Sequence, residues 1–304
     1  MTHIPSPSHA EDPDKKPLWL KRKIAHGAAY WDVAAVIRAG GLRTVCEEAQ
    51  CPNRGECYSR GTATFLILGG RCTRACRFCA ISHGAPEPPQ PDEPARVAAA
   101  VQALGLSHVV VTSVTRDDLP DGGAGQFANT IRAVREACPG TVVEGLIPDF
   151  GGDLDALRLV LDAAPSVVAH NIETVPRLYA RIRPGAVYTR SLDIIRKVRH
   201  HTPRFLTKTG IMLGLGETYP ELIAMFADLR ACGCDLLTLG QYLRPDTACE
   251  PVTRFVPPDE FAHLKEIACG MGFSHVEAGP FVRSSFRAGE AFRAVTSGQH
   301  SLPA

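Results

Sequence analysis

Short apolar runs rich in β-branched residues alternate with amphipathic stretches from residue 62 onward. The runs predict six strands, at Thr62–Leu68, His108–Ser113, Val142–Ile147, Val167–Asn171, Phe205–Leu213 and Leu236–Leu243. The stretches between and after them predict six helices, near Pro94–Leu104, Gly125–Ala137, Leu154–Ala163, Ser191–His201, Pro220–Ala231 and Pro258–Cys269. Such alternation implies right-handed crossovers and a mainly parallel sheet. Periodicity alone does not separate an open doubly wound sheet from an incomplete barrel.

Many chemically versatile side chains come directly after these predicted strands. They occupy the segments Cys72–Cys79, Thr112–Asp118, Pro148–Asp149, Asn171–Glu173 and Gly214–Glu217. Parallel α/β folds bind their ligands at the carboxyl ends of the strands. We therefore expect a ligand site at that end of the sheet.

The composition argues against two classes of partner. Hydrophobic residues make up 45% of the 304-residue chain and charged residues 21%, which is typical of soluble globular proteins. Lys and Arg number 33 against 32 Asp and Glu, so the basic excess of a nucleic-acid-binding protein is missing. The apolar runs are short, Val97–Leu106 being one example, so the sequence predicts no membrane span.

Residues 1–23 differ from the rest of the chain in being rich in proline and acidic side chains. Their acids, Glu11, Asp12 and Asp14, argue against a transit peptide, and the segment lacks the apolar centre of a secretory signal. We interpret it as the flexible leader of a cytoplasmic protein. In such a reducing compartment, cysteines at short fixed spacing are more readily metal ligands than disulfides, and six of the eleven lie between Cys46 and Cys79.

The first cysteine motif is C-x3-C-x2-C, formed by Cys72, Cys76 and Cys79 directly after a predicted strand. Three thiolates this close suit a four-iron, four-sulfur cluster and leave one iron open for a substrate. The preceding pair Gly69–Gly70 allows the backbone a tight turn. A buried helix face is a poor alternative because three arginines flank the thiols, and zinc prefers four protein ligands.

A second motif lies upstream, where Cys46, Cys51 and Cys57 form C-x4-C-x5-C. It offers three ligands for a second cluster, again one short of four. The compartment disfavours disulfides, and a helix-packing role would not need Pro52 and Gly55 between the thiols. Taken alone, this motif leaves a zinc site or a structural role open.

The first motif, with Phe78 before its last cysteine, resembles the signature of the radical S-adenosylmethionine superfamily. The resemblance implies that the amino and carboxylate groups of S-adenosylmethionine chelate the open iron. Reductive cleavage then yields a 5′-deoxyadenosyl radical, which abstracts hydrogen from an unactivated carbon.

The two motifs in this order resemble the lipoyl synthase family, and the likeness spans roughly residues 24–290. Further matching segments are Thr115–Ala124, Leu146–Phe150, His170–Val175, Arg183–Ala186, Lys208–Thr218 and Gly240–Pro245. The family carries a carboxy-terminal Arg-Ser-Ser-Tyr, where this chain has Arg283–Phe286. The resemblance implies that Ser285 is the fourth protein ligand of the auxiliary cluster, while Phe286 lacks the family's phenolic hydroxyl.

That resemblance also implies an architecture and a reaction. We expect a partial (β/α)6 TIM-like barrel at residues 62–278, an extension at 24–61 carrying the auxiliary ligands, and a tail at 279–304. The enzyme would insert two sulfur atoms at carbons 6 and 8 of a protein-bound octanoyl-lysine. The cluster on Cys72, Cys76 and Cys79 would generate the radical. The auxiliary cluster, on the ligands Cys46, Cys51, Cys57 and Ser285, would donate sulfur.

The implied partners follow from that reaction. They are octanoylated lipoyl carrier domains (2-oxoacid dehydrogenase acyltransferase subunits and the glycine cleavage H protein), an electron donor such as ferredoxin or flavodoxin, and a carrier that repairs the auxiliary cluster.

Candidate contacts of S-adenosylmethionine are Phe78, Thr112, Glu144, Asn171 and Arg183. Arg183 either pairs with the cofactor carboxylate or braces the sheet end, and the sequence leaves both roles open.

Two other functions fit parts of the pattern. A methylthiotransferase also inserts sulfur by radical chemistry, but it carries a nucleic-acid-binding domain for which the near-neutral charge gives no platform. A two-cluster electron carrier would be shorter and fully ligated by cysteine, whereas both motifs here are one cysteine short.

Overall fold

A computed structural model describes residues 16–21, 27–202 and 204–299 of the chain. Most of the expected leader, residues 1–23, therefore lies outside the described residues. None of the helices within these ranges is both long and apolar enough to cross a membrane.

One eight-stranded sheet organises the described chain, and its strands follow one another in sequence order. They are β1 Arg43–Thr44, β2 Thr64–Ile67, β3 His108–Ser113, β4 Val142–Leu146, β5 Val167–Ala169, β6 Leu206–Leu213, β7 Leu236–Gln241 and β8 His275–Gly279. Strands β2 to β8 pair in parallel, while β1 pairs antiparallel with β2.

The strand order decides between the two architectures that periodicity left open. A doubly wound sheet reverses direction part-way through its strand order, whereas this sheet winds in one direction throughout. The two edge strands β1 and β8 do not pair, so the sheet is not closed. The expected partial TIM-like barrel is confirmed.

Eleven α-helices are described, six of which follow strands β2 to β7 as the outer helices of six β/α units. They are α1 Ala28–Ala39, α2 Val45–Glu48, α3 Arg54–Ser59, α4 Glu93–Ala103, α5 Ala124–Ala137, α6 Leu154–Asp162, α7 Tyr179–Ile182, α8 Tyr188–His201, α9 Tyr219–Ala231, α10 Pro258–Gly270 and α11 Ala288–Gln299. Short 3-10 turns lie at Leu18–Leu20, Phe150–Gly152 and Pro176–Leu178. The six units are those that the sequence predicts.

Alternation along each strand separates the core from the inside of the barrel. On β2, Phe65 and Ile67 pack with the outer helices, whereas Thr64 and Leu66 line an inner cavity. At the amino ends of the strands, α11 fills the barrel through Val295, which joins a buried cluster with Val167 of β5. The opposite, carboxyl end of the strands remains available for ligands.

The gap between β1 and β8, here called the seam, is covered from both ends of the described chain. Helices α1 to α3 lie on one side, and the segment from β8 to α11 lies on the other. Asn53 Nδ2 donates to the Phe281 carbonyl across the seam at 2.6 Å, and Arg60 pairs with Glu290 at 2.6 Å. The segment that carries the second cysteine motif thus meets the tail directly.

Candidate active site

The first cysteine motif lies in the loop after β2, folded back against the strand ends. The backbone N–H of Cys72 donates to the Ser82 carbonyl at 2.8 Å, and Gly84 donates to the Cys72 carbonyl at 3.0 Å. The Cys72 sulfur accepts backbone N–H groups from Arg74 at 3.4 Å and Thr115 at 3.2 Å. Such donors stabilise a thiolate, so the loop is prepared to hold a charged sulfur ligand.

The three thiols of this motif line one cavity of about 170 Å³ at the strand ends. Burial, together with repulsion from Cys76 and Cys72, raises the pKa of Cys79 to about 12. Burial also raises the pKa of Cys76, although Arg183 opposes that shift. Bound iron would relieve the mutual repulsion of thiolates that lie this close. The three thiols therefore fit an iron–sulfur cluster.

Three buried polar atoms around the same cavity have no hydrogen-bond partner within the described chain. They are Ser113 Oγ, Asn171 Oδ1 and Arg183 Nε. Buried polar groups are normally satisfied, so an acceptor, a donor and a hydroxyl left over in one cavity point to a polar ligand. A cofactor with an amine, a carboxylate and ribose hydroxyls offers the complementary groups.

A chain of hydrogen bonds holds Arg183 in place. Its Nη1 donates to the Asn171 carbonyl at 2.8 Å and to Tyr179 Oη at 2.6 Å. Tyr179 donates to Ser191 Oγ at 2.8 Å, and Ser191 lies 3.0 Å from His170 Nε2. His170 Nδ1 is 2.8 Å from the Ile147 carbonyl, which accepts, so Nε2 accepts from Ser191. Burial lowers the pKa of His170 to about 4, so the ring is neutral at pH 7.

Glu173 is a site residue to which the sequence analysis gave no individual role. Its backbone has a φ of 68°, an uncommon conformation for a residue other than glycine. Asn171 Nδ2 donates to Glu173 Oε1 at 2.9 Å, and both residues line the cavity. Burial raises the pKa of Glu173 above its ordinary value. The sequence indicates Glu173 as a site residue through its place in the polar segment after β5.

The other candidate cofactor contacts separate into two groups. Phe78 and Thr112 line the same cavity as Asn171 and Arg183. Glu144 lies deeper in the barrel, bonded to Lys208 Nζ at 2.7 Å and to His108 Nε2 at 3.3 Å. Although burial opposes it, Lys208 holds the pKa of Glu144 below its ordinary value. Glu144 is not among the residues that line either cavity at the strand ends.

The second cysteine motif spans α2, a turn and α3. Thr44 caps α2 by accepting the Glu47 N–H at 3.3 Å, and its hydroxyl also bonds Tyr58 Oη at 2.8 Å. Burial, together with repulsion from Cys51, raises the pKa of Cys46 to about 12 and that of Cys57 to about 11. These thiols are free and close enough to interact electrostatically.

No three His, Cys, Asp or Glu side chains within the described ranges converge on a site for a single metal ion. The two cysteine motifs instead surround cavities. A cluster larger than one ion is the group that such spaced thiolates suit.

Ser285 meets the second motif at two cavities. A cavity of about 430 Å³ is lined by Cys46, Cys51, Cys79 and Ser285, and a lateral one of about 290 Å³ by Cys46, Cys57 and Ser285. Members of both cysteine motifs therefore line one space, since Cys79 comes from the first motif and Cys46 and Cys51 from the second, and Ser285 borders the same space. Ser284 points to other neighbours, since its Oγ accepts from Asn171 Nδ2 at 3.3 Å.

The tail reaches this position because β7 offers it a glycine. A side chain at Gly240 would collide with the carbonyl oxygen of Val282. Close approach of two backbones is what glycine permits. The Arg283–Phe286 segment can therefore cross the barrel mouth.

Comparison with known proteins identifies relatives of the whole described fold. Residues 66–229 match the radical SAM superfamily model. The chain is 54% identical over 278 residues to the lipoyl synthase of Desulfotalea psychrophila, covering 91% of this chain and 93% of the relative. It is 55% identical over 277 residues to the lipoyl synthase of Geobacter sulfurreducens, covering 90% of each.

Solved structures with little sequence similarity share the fold. SuiB of Streptococcus suis, in its crystal structure with the precursor peptide SuiA, superposes with a TM-score of 0.56 at 10% identity, covering 70% of this chain and 48% of that chain. HydG, a maturase of the [FeFe]-hydrogenase, gives a TM-score of 0.54 at 13% identity, covering 83% of this chain and 68% of that chain.

Proposed function

Because the chain belongs to the lipoyl synthase family of radical S-adenosylmethionine enzymes, we propose that it carries out that family's reaction at two iron–sulfur sites with different roles. The reaction inserts sulfur at carbons 6 and 8 of an octanoyl chain amide-linked to a lysine of a carrier protein. When bound, one cluster with S-adenosylmethionine supplies a hydrogen-abstracting radical, and the auxiliary cluster supplies sulfur. Two 4Fe–4S clusters and S-adenosylmethionine are the enzyme's cofactors.

The cavity of about 170 Å³ is the proposed S-adenosylmethionine site. Cys72, Cys76 and Cys79 would hold its cluster, and the two backbone donors to Cys72 would stabilise that thiolate. Arg183 would donate to a carboxylate or hydroxyl of the cofactor, and Asn171 Oδ1 would accept from its amine, because both carry unpartnered atoms there. The neutral His170 network fixes Arg183 for that contact.

The second site would hold the auxiliary cluster on Cys46, Cys51, Cys57 and Ser285. A hydroxyl oxygen is a harder and weaker iron ligand than a thiolate, so this corner would release more easily when sulfur is removed. Ser285 lines both cavities beside these cysteines, and this position supports it as that ligand.

The observation that carries the proposal is the single space of about 430 Å³ shared by the two motifs. Cys79 borders it on one side, and Cys51 with Ser285 borders it on the other. Apolar side chains of Leu66 and Met212 line it between them and would receive the octanoyl chain. A substrate carbon held there lies within reach of both centres, as abstraction followed by sulfur transfer requires.

The partners belong to the same proposal. Octanoylated carrier domains of 2-oxoacid dehydrogenase acyltransferases and the glycine cleavage H protein would present the substrate. Ferredoxin or flavodoxin would supply electrons, and a cluster carrier would restore the auxiliary site. A cytoplasmic location is proposed with them, since cluster-forming thiols need a reducing compartment.

The test is anaerobic reconstitution followed by turnover with an octanoylated carrier domain. We expect about eight iron and eight sulfide per chain, and lipoyl product detected by mass spectrometry with two 5′-deoxyadenosines per lipoyl group. Cofactor cleavage without sulfur on the carrier would contradict the proposal. Reversible reduction with no cofactor cleavage would instead indicate an electron carrier.

A further inference from the structure

Four charged side chains of alternating sign bridge the seam beside the auxiliary site. Arg60 Nη2 lies 2.6 Å from Glu290 Oε1, and Arg60 Nη1 lies 3.7 Å from Glu56 Oε1. Arg287 Nη2 approaches the same Glu56 oxygen at 3.6 Å. We call Glu290, Arg60, Glu56 and Arg287 the charged clasp.

The clasp joins the two segments that supply the auxiliary ligands. Glu56 and Arg60 belong to α3 and its end, next to Cys57, while Arg287 and Glu290 follow Ser285 in the tail and α11. All four line the lateral cavity of about 290 Å³ together with Cys57 and Ser285. Its ion pairs therefore act across the space onto which Cys57 and Ser285 both open.

The backbone between Ser285 and α11 is strained at the clasp itself. Arg287 has a φ of 51°, in the left-handed region that non-glycine residues rarely adopt. Its guanidinium lies 5.1 Å from the ring centroid of the buried Phe286, which anchors it to the core. Strain of this kind persists only where surrounding contacts maintain it, and it often marks a functional turn.

We propose that the charged clasp positions Ser285 against the auxiliary site, so that Arg60 and Glu290 are positioning residues for sulfur insertion. This inference rests on the proposed function, because it assigns a role to the serine ligand of that reaction. The clasp holds α3 to α11, and so holds the strained turn and the Ser285 hydroxyl over the cysteines. Phe286 supports the turn by packing, without the phenolic hydroxyl of the family pattern.

The expected effect is moderate and depends on ionic strength. A single exposed ion pair contributes little, but a network of alternating charges contributes more and is screened by salt. Weakening the clasp should raise the number of 5′-deoxyadenosines formed per lipoyl group about threefold, roughly the effect of one well-formed exposed pair. Radical generation should stay within twofold of the unmodified rate, since the first cluster lies on other elements.

The experiment compares reconstituted holoenzymes carrying Glu290→Gln, Arg60→Gln, both changes together, and Arg60→Lys. We expect each single neutral variant to uncouple cleavage from sulfur insertion, and the double variant to be no worse than Arg60→Gln, which already removes both ion pairs of Arg60. Arg60→Lys, which keeps the charge, should remain near the unmodified ratio. Glu277→Gln is the matched control, because Glu277 forms a similarly exposed pair with Lys265 outside both cavities.

A second readout does not depend on turnover. Bathophenanthroline disulfonate added to the reduced holoenzyme should remove about half of the iron severalfold faster from Glu290→Gln than from Glu277→Gln. Raising the salt concentration from 0.05 M to about 0.5 M should increase uncoupling more in the unmodified enzyme than in Glu290→Gln, which keeps only the two longer ion pairs of the clasp.

Equal coupling and equal iron loss in Glu290→Gln and the unmodified enzyme would overturn the clasp. So would uncoupling in the unmodified enzyme that does not respond to salt. These outcomes leave the proposed function intact, because the unmodified enzyme still makes lipoyl product. Failure of the unmodified enzyme to make that product would instead reject the proposed function.

Discussion

Adjacent residues of the tail serve different neighbours. Ser284 accepts a hydrogen bond from Asn171, which lines the proposed S-adenosylmethionine site, whereas Ser285 is the one of the two that borders the lateral cavity beside Cys57. Both serines line the cavity of about 430 Å³, so they differ in their further contacts.

Substituting these serines should give different kinetic losses. Ser285→Ala should retain cofactor cleavage but reduce sulfur insertion at least tenfold, because the auxiliary cluster loses its oxygen ligand. Ser284→Ala should lose about one hydrogen bond, which corresponds to roughly a fivefold higher KM for S-adenosylmethionine. Ser285→Cys should slow sulfur release, because a thiolate holds iron more firmly. Cleavage and product measured in one assay distinguish these results, and full product formation by Ser285→Ala would remove this residue from the mechanism.

His170 makes stability depend on pH. Its pKa is about 4 in the folded chain against 6.5 when exposed, so the unfolded chain binds the extra proton between those values. Its contribution to stability is complete above pH 6.5 and decreases as the pH falls towards 4. At pH 5 the loss is about 2 kcal/mol.

Urea unfolding of the unmodified chain and of His170→Asn at pH 7 and pH 5 measures this contribution. The difference between the two pH values should be about 2 kcal/mol smaller in the variant, which has no imidazole to protonate. The exposed His263, changed to Asn, is the control for replacing an imidazole outside the buried network. An identical pH dependence in His170→Asn would show that His170 is not the group responsible.

At the scale of elements, the sequence predicts those strands and helices whose formation depends on a local pattern of apolar and polar residues. The strand at His108–Ser113 has the predicted bounds, since its β-branched run is both local and buried. Strand β8 was missed because only Val276 in it is buried, and β1 was missed because it has only two residues. The two cysteine motifs are visible in the sequence because of their spacing, whereas the network around Arg183 joins side chains from separate elements. Ser285 was reached only by resemblance, since its neighbours are distant in sequence.

The two cysteine motifs lie on different elements, so they should fail independently. Changing Cys72, Cys76 and Cys79 together to Ala should abolish cofactor cleavage and leave about four iron per chain. Changing Cys46, Cys51 and Cys57 should also leave about four iron, with cleavage retained and no lipoyl product. Iron analysis and product assays of both triple variants test this. Complete loss of iron from either would contradict independent sites.

For the whole molecule, the incomplete barrel is finished by its tail. Helix α11 fills the amino end through Val295, and the segment before it covers the seam beside the cysteines of α2 and α3. Removing buried packing there should affect the whole fold, because the cluster around Val295 includes residues of strands β5, β6 and β7.

Val295→Ala should lower the free energy of unfolding by about 1–2 kcal/mol, since it removes two buried methyl groups from the barrel interior. Urea unfolding measures the change. Ser297→Ala, at an exposed position of the same helix, should change stability by less than about 0.5 kcal/mol. Equal stability of the two variants would show that α11 does not seal the barrel.

The bond between Asn53 and the Phe281 carbonyl has a consequence for the timing of assembly. Its partners are 228 positions apart, so it forms only after the intervening chain has been synthesised. Cys72, Cys76 and Cys79 are all present long before Ser285 leaves the ribosome. The auxiliary site that we propose can therefore be completed only after the tail has been synthesised, later than the three cysteines proposed for the radical-generating centre are present.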